Sequence, residues 1–315
     1  MNEMIEEIAS VGLSVHERMT IKKNRLAPKQ TDGAAKRFSL VTGIHGDELD
    51  GQYICYEIVR RINEQPQNLT GIVDIYPAVN PLGVDMGKRG IPMFDLDMNR
   101  VFPGSDNGAM AEYAASRVID DLIGSDLCLD LHSSNIFIKE IPQVRVNEEN
   151  VHKLLPYAKM LNADLVWIYS SITVLDATLA YSLNKLGVPA LVCEMGVGLR
   201  IDRELCSQVI DGIFHLMKNL GIWSGETKAV KTPLISVEGD VNVLRSDVSG
   251  IFVSRRVGLG EVRAGELIGE VIEPITGSVL QKFTAPCDGV VFTLREHPVV
   301  YRGDMIARVH GGLHE

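Results

Sequence analysis

Apolar residues follow two different patterns over residues 1–224 of the chain. Short runs rich in Val, Ile and Leu, bounded by turn residues, predict inner strands of a sheet at Phe38–Ile44, Ile72–Val79, Asp126–His132, Asp164–Tyr169 and Pro189–Met195. Apolar residues three and four apart predict helices that pack on that sheet, at Gln52–Asn63, Ala109–Ile123, Val151–Leu161, Asp176–Leu186 and Asp202–Leu220. Residues 1–224 are therefore expected to form one α/β domain.

The pattern changes after the last of these helices, for which Asp202 is a cap and Gly221 a stop signal. From about Gly225 onward, glycines recur every few residues, and short β-branched runs alternate with turns without a helical period. Residues 225–315 are therefore expected to form a second, smaller, all-β domain.

Composition and charge narrow the class of protein. With 315 residues, 45% of them hydrophobic and 23% charged, the chain can bury a full core, which excludes a disordered or low-complexity protein. No apolar run approaches the length of about 18 residues that a membrane-spanning helix needs. The amino terminus carries glutamates where a signal peptide has basic residues, so we expect a cytoplasmic protein without a membrane partner.

The net charge of −10 argues against binding to nucleic acid or anionic lipid, and any anionic substrate has to be attracted by local arginines. The five cysteines are odd in number and far apart in the sequence. They predict reduced, buried thiols rather than a disulfide framework or a CxxC metal site.

The first segment with candidate chemistry is VTGIHGDE, residues 41–48, which leads from a predicted strand through a glycine-flanked turn toward a helix. If the chain is helical there, His45 and Glu48 lie on one face about 5–6 Å apart and can share a cation. Ligands also bind at strand ends of this kind in open α/β sheets. A purely structural role for these two residues stays open, because His-x-x-Glu alone is a short pattern.

The second segment is DLCLDLHSS, residues 126–134, in which leucines alternate with other residues. One strand face is therefore apolar, while His132 emerges at the carboxyl end of the other face. Two histidines and one glutamate leave a fourth position for water, as expected of catalytic zinc. Asp130, on the same face as His132, is either a partner that fixes a histidine tautomer or a turn residue.

The third segment is PALVCEMG, residues 189–196, where Glu194 closes an otherwise apolar strand. Burying an unpaired carboxylate costs several kcal/mol, so such a residue usually serves a cation, a proton or a water molecule. Glu194 is therefore a candidate general base, and a structural salt bridge is the alternative.

The fourth segment is a long loop, residues 80–104, punctuated by glycine and proline and containing DLDMNR. Loops of that length in a compact domain are often functional. An arginine fork suits bidentate recognition of a carboxylate, and a second arginine in this loop can polarise a carbonyl group. Solvated arginines without such roles are the alternative.

These four segments, in this order, resemble the succinylglutamate desuccinylase/aspartoacylase family, within the zinc carboxypeptidase-like fold, which has a mixed sheet flanked by helices. The resemblance covers nearly the whole chain. It implies that His45, Glu48 and His132 hold one zinc ion per chain. It also implies that Glu194 is the catalytic proton shuttle.

The same resemblance assigns the loop residues. It implies that Asn99 and Arg100 bind a carboxylate group of the substrate, and that Arg89 is the catalytic arginine that polarises the scissile carbonyl group. The acyl group of the substrate stays undetermined.

The tail of the chain resembles the barrel-sandwich hybrid of biotinyl and lipoyl carriers, through TAPCDGVV at residues 284–291 and YRGDMI at residues 301–306. Between them, LREHPV at residues 294–299 has no lysine for attachment, so we do not expect a carrier. In the family that the chain resembles, this β domain caps the catalytic domain or mediates subunit contacts. We therefore expect an assembly of identical subunits.

The leading hypothesis is zinc-dependent hydrolysis of the amide bond of a small N-acylated amino acid. A metallocarboxypeptidase acting on short peptides is the nearest alternative, because the same zinc constellation serves both. A non-catalytic ligand-binding protein and a carrier or scaffold role for the β domain are alternatives of other classes.

Overall fold

The computed structural model describes residues 1–29, 35–170, 176–256 and 258–311. The helices are α1 (Asp50–Glu64), α2 (Pro81–Met86), α3 (Met110–Leu122), α4 (Val151–Ala158), α5 (Leu179–Lys185) and α6 (Arg203–Asn219). The strands are β1 (Asn2–Gly12), β2 (Arg18–Ala27), β3 (Arg37–Val41), β4 (Ile72–Tyr76), β5 (Leu127–Ser133), β6 (Ile138–Asn147), β7 (Leu165–Tyr169), β8 (Ala190–Gly196), β9 (Leu234–Val237), β10 (Val241–Arg245), β11 (Gly250–Ser254), β12 (Gly260–Val262), β13 (Leu267–Glu273), β14 (Ser278–Thr284), β15 (Gly289–Arg295), β16 (Val299–Val300) and β17 (Met305–Gly311).

The α/β region is built on a mixed sheet with the strand order β1-β2-β4-β3-β5-β8-β6. The central strands β4, β3, β5 and β8 run parallel, whereas the strands of the N-terminal hairpin are antiparallel to their neighbours and β6 is antiparallel to β8. Each predicted strand and helix has a counterpart among the observed elements. The expected α/β class with a mixed, helix-flanked sheet is confirmed.

Helices cover both faces of the central strand β5, and every residue of this strand is buried. Leu127, Leu129 and Leu131 pack with α1 and α6, whereas Cys128 packs with α3 and α5 on the opposite face. Since alternate residues of a strand point to opposite faces, Asp130 and His132 share the face of Cys128. The leucine alternation in the sequence therefore fixes the side on which His132 emerges.

A buried ionic network attaches the N-terminal hairpin to this sheet. Asp74 of β4 is fully buried, and its carboxylate accepts from Arg25 of β2 at 2.7 Å and from Arg37 of β3 at 2.7 Å. Lys23 of β2 lies 3.6 Å from the same oxygen. Burial alone would raise the pKa of Asp74, but these cations lower it below its ordinary value. Asp74 therefore stays ionised and ties the hairpin to the parallel strands.

The C-terminal strands form two layers around a separate apolar core. One layer contains β10, β17, β15 and β12, and the other has the order β14-β13-β11-β16. Phe252, Ile268 and Ile306 are among the side chains buried between them. Beyond residue 225, the described residues contain no α-helix, only a 3-10 turn at residues 238–240. The all-β character of this region is as predicted.

The two regions share one continuous sheet, because β15 pairs antiparallel with β6 and places Thr293 opposite Glu140. β9, which follows the expected boundary, pairs with β7 of the α/β region. The division between residues 224 and 225 therefore stays a prediction. Within the described ranges, none of the helices combines the length and apolarity that a membrane crossing needs.

Candidate active site

His45 and Glu48 lie in the loop that connects β3 to α1. They form a turn rather than a helical segment: the Glu48 amide donates to the His45 carbonyl oxygen at 3.4 Å, and α1 begins at Asp50. Gly46 allows this turn to press against α2, since a Cβ atom at that position would lie 1.9 Å from the Gly83 carbonyl carbon. The turn brings the two side chains together as a helix would.

The side chains of His45, Glu48 and His132 converge at one buried point, and their ligand atoms all lie within 4.8 Å of one another. Glu48 Oε1 is 2.8 Å from His45 Nδ1, and Glu48 Oε2 is 2.8 Å from His132 Nδ1. Burial alone would raise the pKa of Glu48, but His132 and His45 lower it to about 2. We call these three residues the histidine–glutamate cluster.

A carboxylate lies behind each imidazole of this cluster. His45 Nε2 is 3.0 Å from Asp97 Oδ1, and His132 Nε2 is 3.1 Å from Asp130 Oδ1. Both Nδ1 atoms are thereby left to face the common point, as in the carboxylate–histidine pairs of metal sites. The candidate role of Asp130 as a histidine partner agrees with this geometry. The matching role of Asp97, which lies inside the DLDMNR motif, was not recognised from the sequence.

These residues fit a divalent cation. Two imidazoles and one carboxylate form a donor set that zinc prefers. Burial lowers the pKa of both imidazoles, yet the surrounding carboxylates raise the pKa of His45 above its ordinary value and that of His132 well above it. The cluster therefore attracts positive charge. In addition, His132 Nε2 and both carboxylate oxygens of Asp130 are buried without a well-aligned hydrogen bond.

Glu194 lies beside this cluster at the end of β8, opposite His132 in the parallel ladder with β5. Its carboxylate lines the same pocket, and Oε1 is 3.2 Å from Arg145 Nη1. Burial raises the pKa of Glu194, and Arg145 acts in the opposite direction. Glu194 thus forms a salt bridge and also lies in the pocket with the candidate metal ligands.

The three predicted loop residues line this pocket as well. Arg89 Nη1 is 3.1 Å from Glu48 Oε1, so the guanidinium lies directly beside the cluster. Arg100 is half-exposed and donates to the Asn99 carbonyl oxygen at 2.8 Å. The Asn99 side-chain oxygen accepts from the Leu179 amide at 2.8 Å, which fixes the start of α5 against the loop.

The pocket has a volume of about 660 Å³ and brings together all seven residues that the sequence singled out. Its far wall contains residues that sequence reasoning missed: Glu140, Arg145, Trp167, Met305 and Arg308. Met305 and Arg308 belong to β17, so the C-terminal region contributes side chains to the site. Glu140 and Arg308 contact each other although they are 168 residues apart in the sequence. No local sequence pattern indicates that such distant residues are neighbours.

Comparison with known proteins gives consistent matches. A family model described as the succinylglutamate desuccinylase/aspartoacylase catalytic domain matches residues 34–220. The N-alpha-acetyl-L-2,4-diaminobutyric acid deacetylase of Halomonas elongata is 27% identical over 277 residues, which cover 85% of this chain and 80% of the relative.

Solved structures share the fold over almost the full length. A succinylglutamate desuccinylase/aspartoacylase from Rhodobacter sphaeroides has a TM-score of 0.81 at 22% identity, covering 99% of this chain and 96% of that chain. The product-bound ectoine utilization protein EutE (DoeB) from Ruegeria pomeroyi has a TM-score of 0.80 at 20% identity, covering 98% and 95%.

Proposed function

Because the chain belongs to the succinylglutamate desuccinylase/aspartoacylase family, we propose that it is a zinc-dependent amidohydrolase that cleaves the amide bond of a small N-acylated amino acid. This proposal rests on one observation: the histidine–glutamate cluster and the buried carboxylate of Glu194 line the same pocket. A cation site beside a carboxylate with a raised pKa is the arrangement that hydrolysis by an activated water molecule requires.

His45, Glu48 and His132 would hold one zinc ion per chain. When bound, zinc supplies Lewis acidity toward a water molecule and toward the scissile carbonyl group. Asp97 Oδ1 and Asp130 Oδ1 lie 3.0 Å and 3.1 Å from the Nε2 atoms of His45 and His132, and would favour the orientation in which both Nδ1 atoms face the common point.

Glu194 takes a proton from the attacking water on its carboxylate and delivers it to the leaving nitrogen. Its raised pKa makes the protonated form accessible, while Arg145 keeps the carboxylate ionised before the reaction. Arg89, whose Nη1 is 3.1 Å from Glu48 Oε1, would stabilise the negative charge that develops on the carbonyl oxygen.

Arg100 and Asn99 bind the carboxylate of the amino acid. Arg100 suits this role because its only hydrogen bond within the described residues goes to a backbone carbonyl oxygen, which leaves most of its donors for a bidentate contact. The deacetylase relative acts on an N-acetylated amino acid, which supports a small acyl group as the first candidate.

The test is an assay of the purified, zinc-loaded protein against N-acetyl and N-succinyl amino acids, N-alpha-acetyl-2,4-diaminobutyrate and short peptides, with the released amine quantified. We expect hydrolysis of N-acyl amino acids that Glu194→Gln abolishes without loss of zinc. The exposed Glu17→Gln is the control and should retain full activity.

Other outcomes would favour the alternatives. Release of carboxyl-terminal residues from peptides would support a metallocarboxypeptidase. Binding of N-acyl amino acids without turnover, in the wild type and in Glu194→Gln alike, would support a non-catalytic binding protein.

A further inference from the structure

A single buried carboxylate joins the C-terminal region to the pocket. Glu140 of β6 is only 1% exposed, and its Oε1 accepts from two side chains of the C-terminal region. Thr293 Oγ1 of β15 donates to it at 3.0 Å and Arg308 Nη1 of β17 at 3.3 Å. Its other oxygen, Oε2, accepts from Arg145 Nη2 at 3.1 Å.

Arg145 extends this chain of contacts to Glu194. While Nη2 donates to Glu140, Nη1 lies 3.2 Å from Glu194 Oε1, so the two terminal nitrogens of one guanidinium are divided between two carboxylates. The indole ring of Trp167 lies beside both arginines, with the guanidinium carbons of Arg145 and Arg308 at 5.8 Å and 5.1 Å from the ring centroid. The ring therefore lies within cation–π distance of both guanidinium groups.

The backbone supports the same connection. β6 pairs on one edge with β8, which carries Glu194, and on the other edge with β15, which carries Thr293. Glu140 lies directly opposite Thr293 in the register. The position of Glu140 is thus fixed by the pairing of the C-terminal strands with the α/β sheet.

Resting on the proposed function, we propose that Glu140 and Arg145 are positioning residues for Glu194, and that the packing of β15 and β17 against β6 fixes the orientation of this general base. The planar guanidinium of an arginine can hold one carboxylate in a fixed direction only if its other acceptor does not move. Glu140, held by three donors, supplies an immobile acceptor, so Arg145 presents Nη1 to Glu194 in one direction only.

Loss of the Glu140 charge should change this arrangement in a definite way. The guanidinium groups of Arg145 and Arg308 would face each other without a shared counter-ion, and Arg145 would move toward Glu194 as its remaining carboxylate partner. Glu194 would then turn away from the histidine–glutamate cluster. Proton transfer would be impaired, whereas the carboxylate-binding residues Asn99 and Arg100 would be untouched.

The experiment compares Glu140→Gln and Thr293→Val with the wild type as zinc-loaded, full-length proteins. For Glu140→Gln we expect kcat to fall by about 10- to 100-fold with KM nearly unchanged. For Thr293→Val, which is nearly isosteric and does not line the pocket, we expect a fall in kcat of about fivefold, the effect of one hydrogen bond.

Glu270→Gln is the matched control. Glu270 is likewise a buried carboxylate with two cationic partners, Arg255 at 2.7 Å and Lys282 at 3.5 Å, but it lies outside the pocket. Its substitution should leave kcat and KM unchanged. Zinc content and the unfolding midpoint are measured for both variants. If the loss of any buried carboxylate disturbs folding, both quantities should fall in Glu140→Gln and in Glu270→Gln.

A crystal structure of Glu140→Gln supplies a readout that is independent of turnover. We expect the Glu194 carboxylate to leave its place near the cluster. An unchanged Glu194 conformation, or wild-type kcat in both Glu140→Gln and Thr293→Val, would overturn the inference. If the wild type hydrolyses no N-acyl amino acid, the proposed function fails, and the conformation of Glu194 still decides whether Glu140 positions it.

Discussion

Asp97 offers a direct test of the metal site, because it contacts a proposed ligand without being one. Its Oδ1 is 3.0 Å from His45 Nε2 and accepts from the Asn99 amide at 2.9 Å, while Oδ2 is 3.3 Å from Arg89 Nη2. Burial alone would raise the pKa of Asp97, but His45 and the neighbouring arginines hold it below its ordinary value. Asp97 is therefore ionised at neutral pH, and Asp97→Asn removes one negative charge at nearly constant shape.

The expected loss of zinc affinity follows from these contacts. Substituting the carboxylate partner of a ligating histidine typically weakens metal binding by about 10- to 100-fold, equivalent to about 1.4–2.8 kcal/mol. We expect the upper half of this range for two reasons. His45 is almost fully buried, so solvent cannot replace the lost charge. Arg89 would also lose one of its two carboxylate partners and interact more strongly with Glu48, a proposed ligand.

The assay is competition for zinc between the protein and a chromophoric chelator at neutral pH. Asp95→Asn is the control, since Asp95 is exposed on the same loop and has a φ of 50°, which asparagine tolerates. Wild-type zinc affinity in Asp97→Asn, or an equal loss in Asp95→Asn, would refute the assignment of Asp97 as the partner that orients His45.

Three further predictions concern substrate binding, protonation and stability. Arg100→Lys should raise KM for a carboxylate substrate by about tenfold with little change in kcat, since a lysine cannot form the bidentate contact; steady-state kinetics with an unchanged KM would contradict this. Zinc binding to the metal-free protein near pH 7 should release protons, because the pKa values of His45 and His132 are raised and a ligating imidazole is neutral; calorimetry should then give buffer-dependent enthalpies, and identical enthalpies would argue against it. Asp74→Asn should lower the free energy of unfolding by about 3–5 kcal/mol, because it removes the fully buried carboxylate that pairs with Arg25 and Arg37. Since the folded pKa of Asp74 is lowered, its contribution is present above the unfolded pKa and is lost as pH falls through the folded value, which urea unfolding at several pH values would detect.

The residues that the sequence singled out most clearly lie near the ends of buried parallel strands. His132 and Glu194 interrupt apolar runs, and a polar residue at the end of such a run needs a partner or a function. For His45 and Glu48, the spacing brings the two side chains together on a helix, and the chain reaches the same result through a non-helical turn. The packing of Gly46 against Gly83, far away in the sequence, determines the actual turn, and spacing alone carries no information about it.

β1 and β6 are among the elements that escaped prediction, and each did so for a physical reason. β1 is an edge strand whose residues are mostly exposed, so it has no apolar face and no readable alternation. β6 is largely buried but contains Glu140, Gln143 and Arg145, which a hydrophobic pattern assigns to the surface. Ionic pairing with distant strands makes burial of Glu140 and Arg145 tolerable, and that compensation is visible only in the fold.

The arginines of the pocket are not equivalent, and their pairing supports the proposal that Arg100 binds the carboxylate of the substrate. Arg89 and Arg145 each lie between two carboxylates, so their charge is already compensated. Arg308 donates to Glu140. Arg100 donates to a backbone carbonyl oxygen, and the nearest carboxylate oxygen is 4.0 Å away. In a chain with a net charge of −10, a substrate carboxylate gains most at the arginine whose charge is least neutralised, which is Arg100. The substrate would then lie with its carboxylate at the half-exposed mouth, and its amide bond between the histidine–glutamate cluster and Glu194.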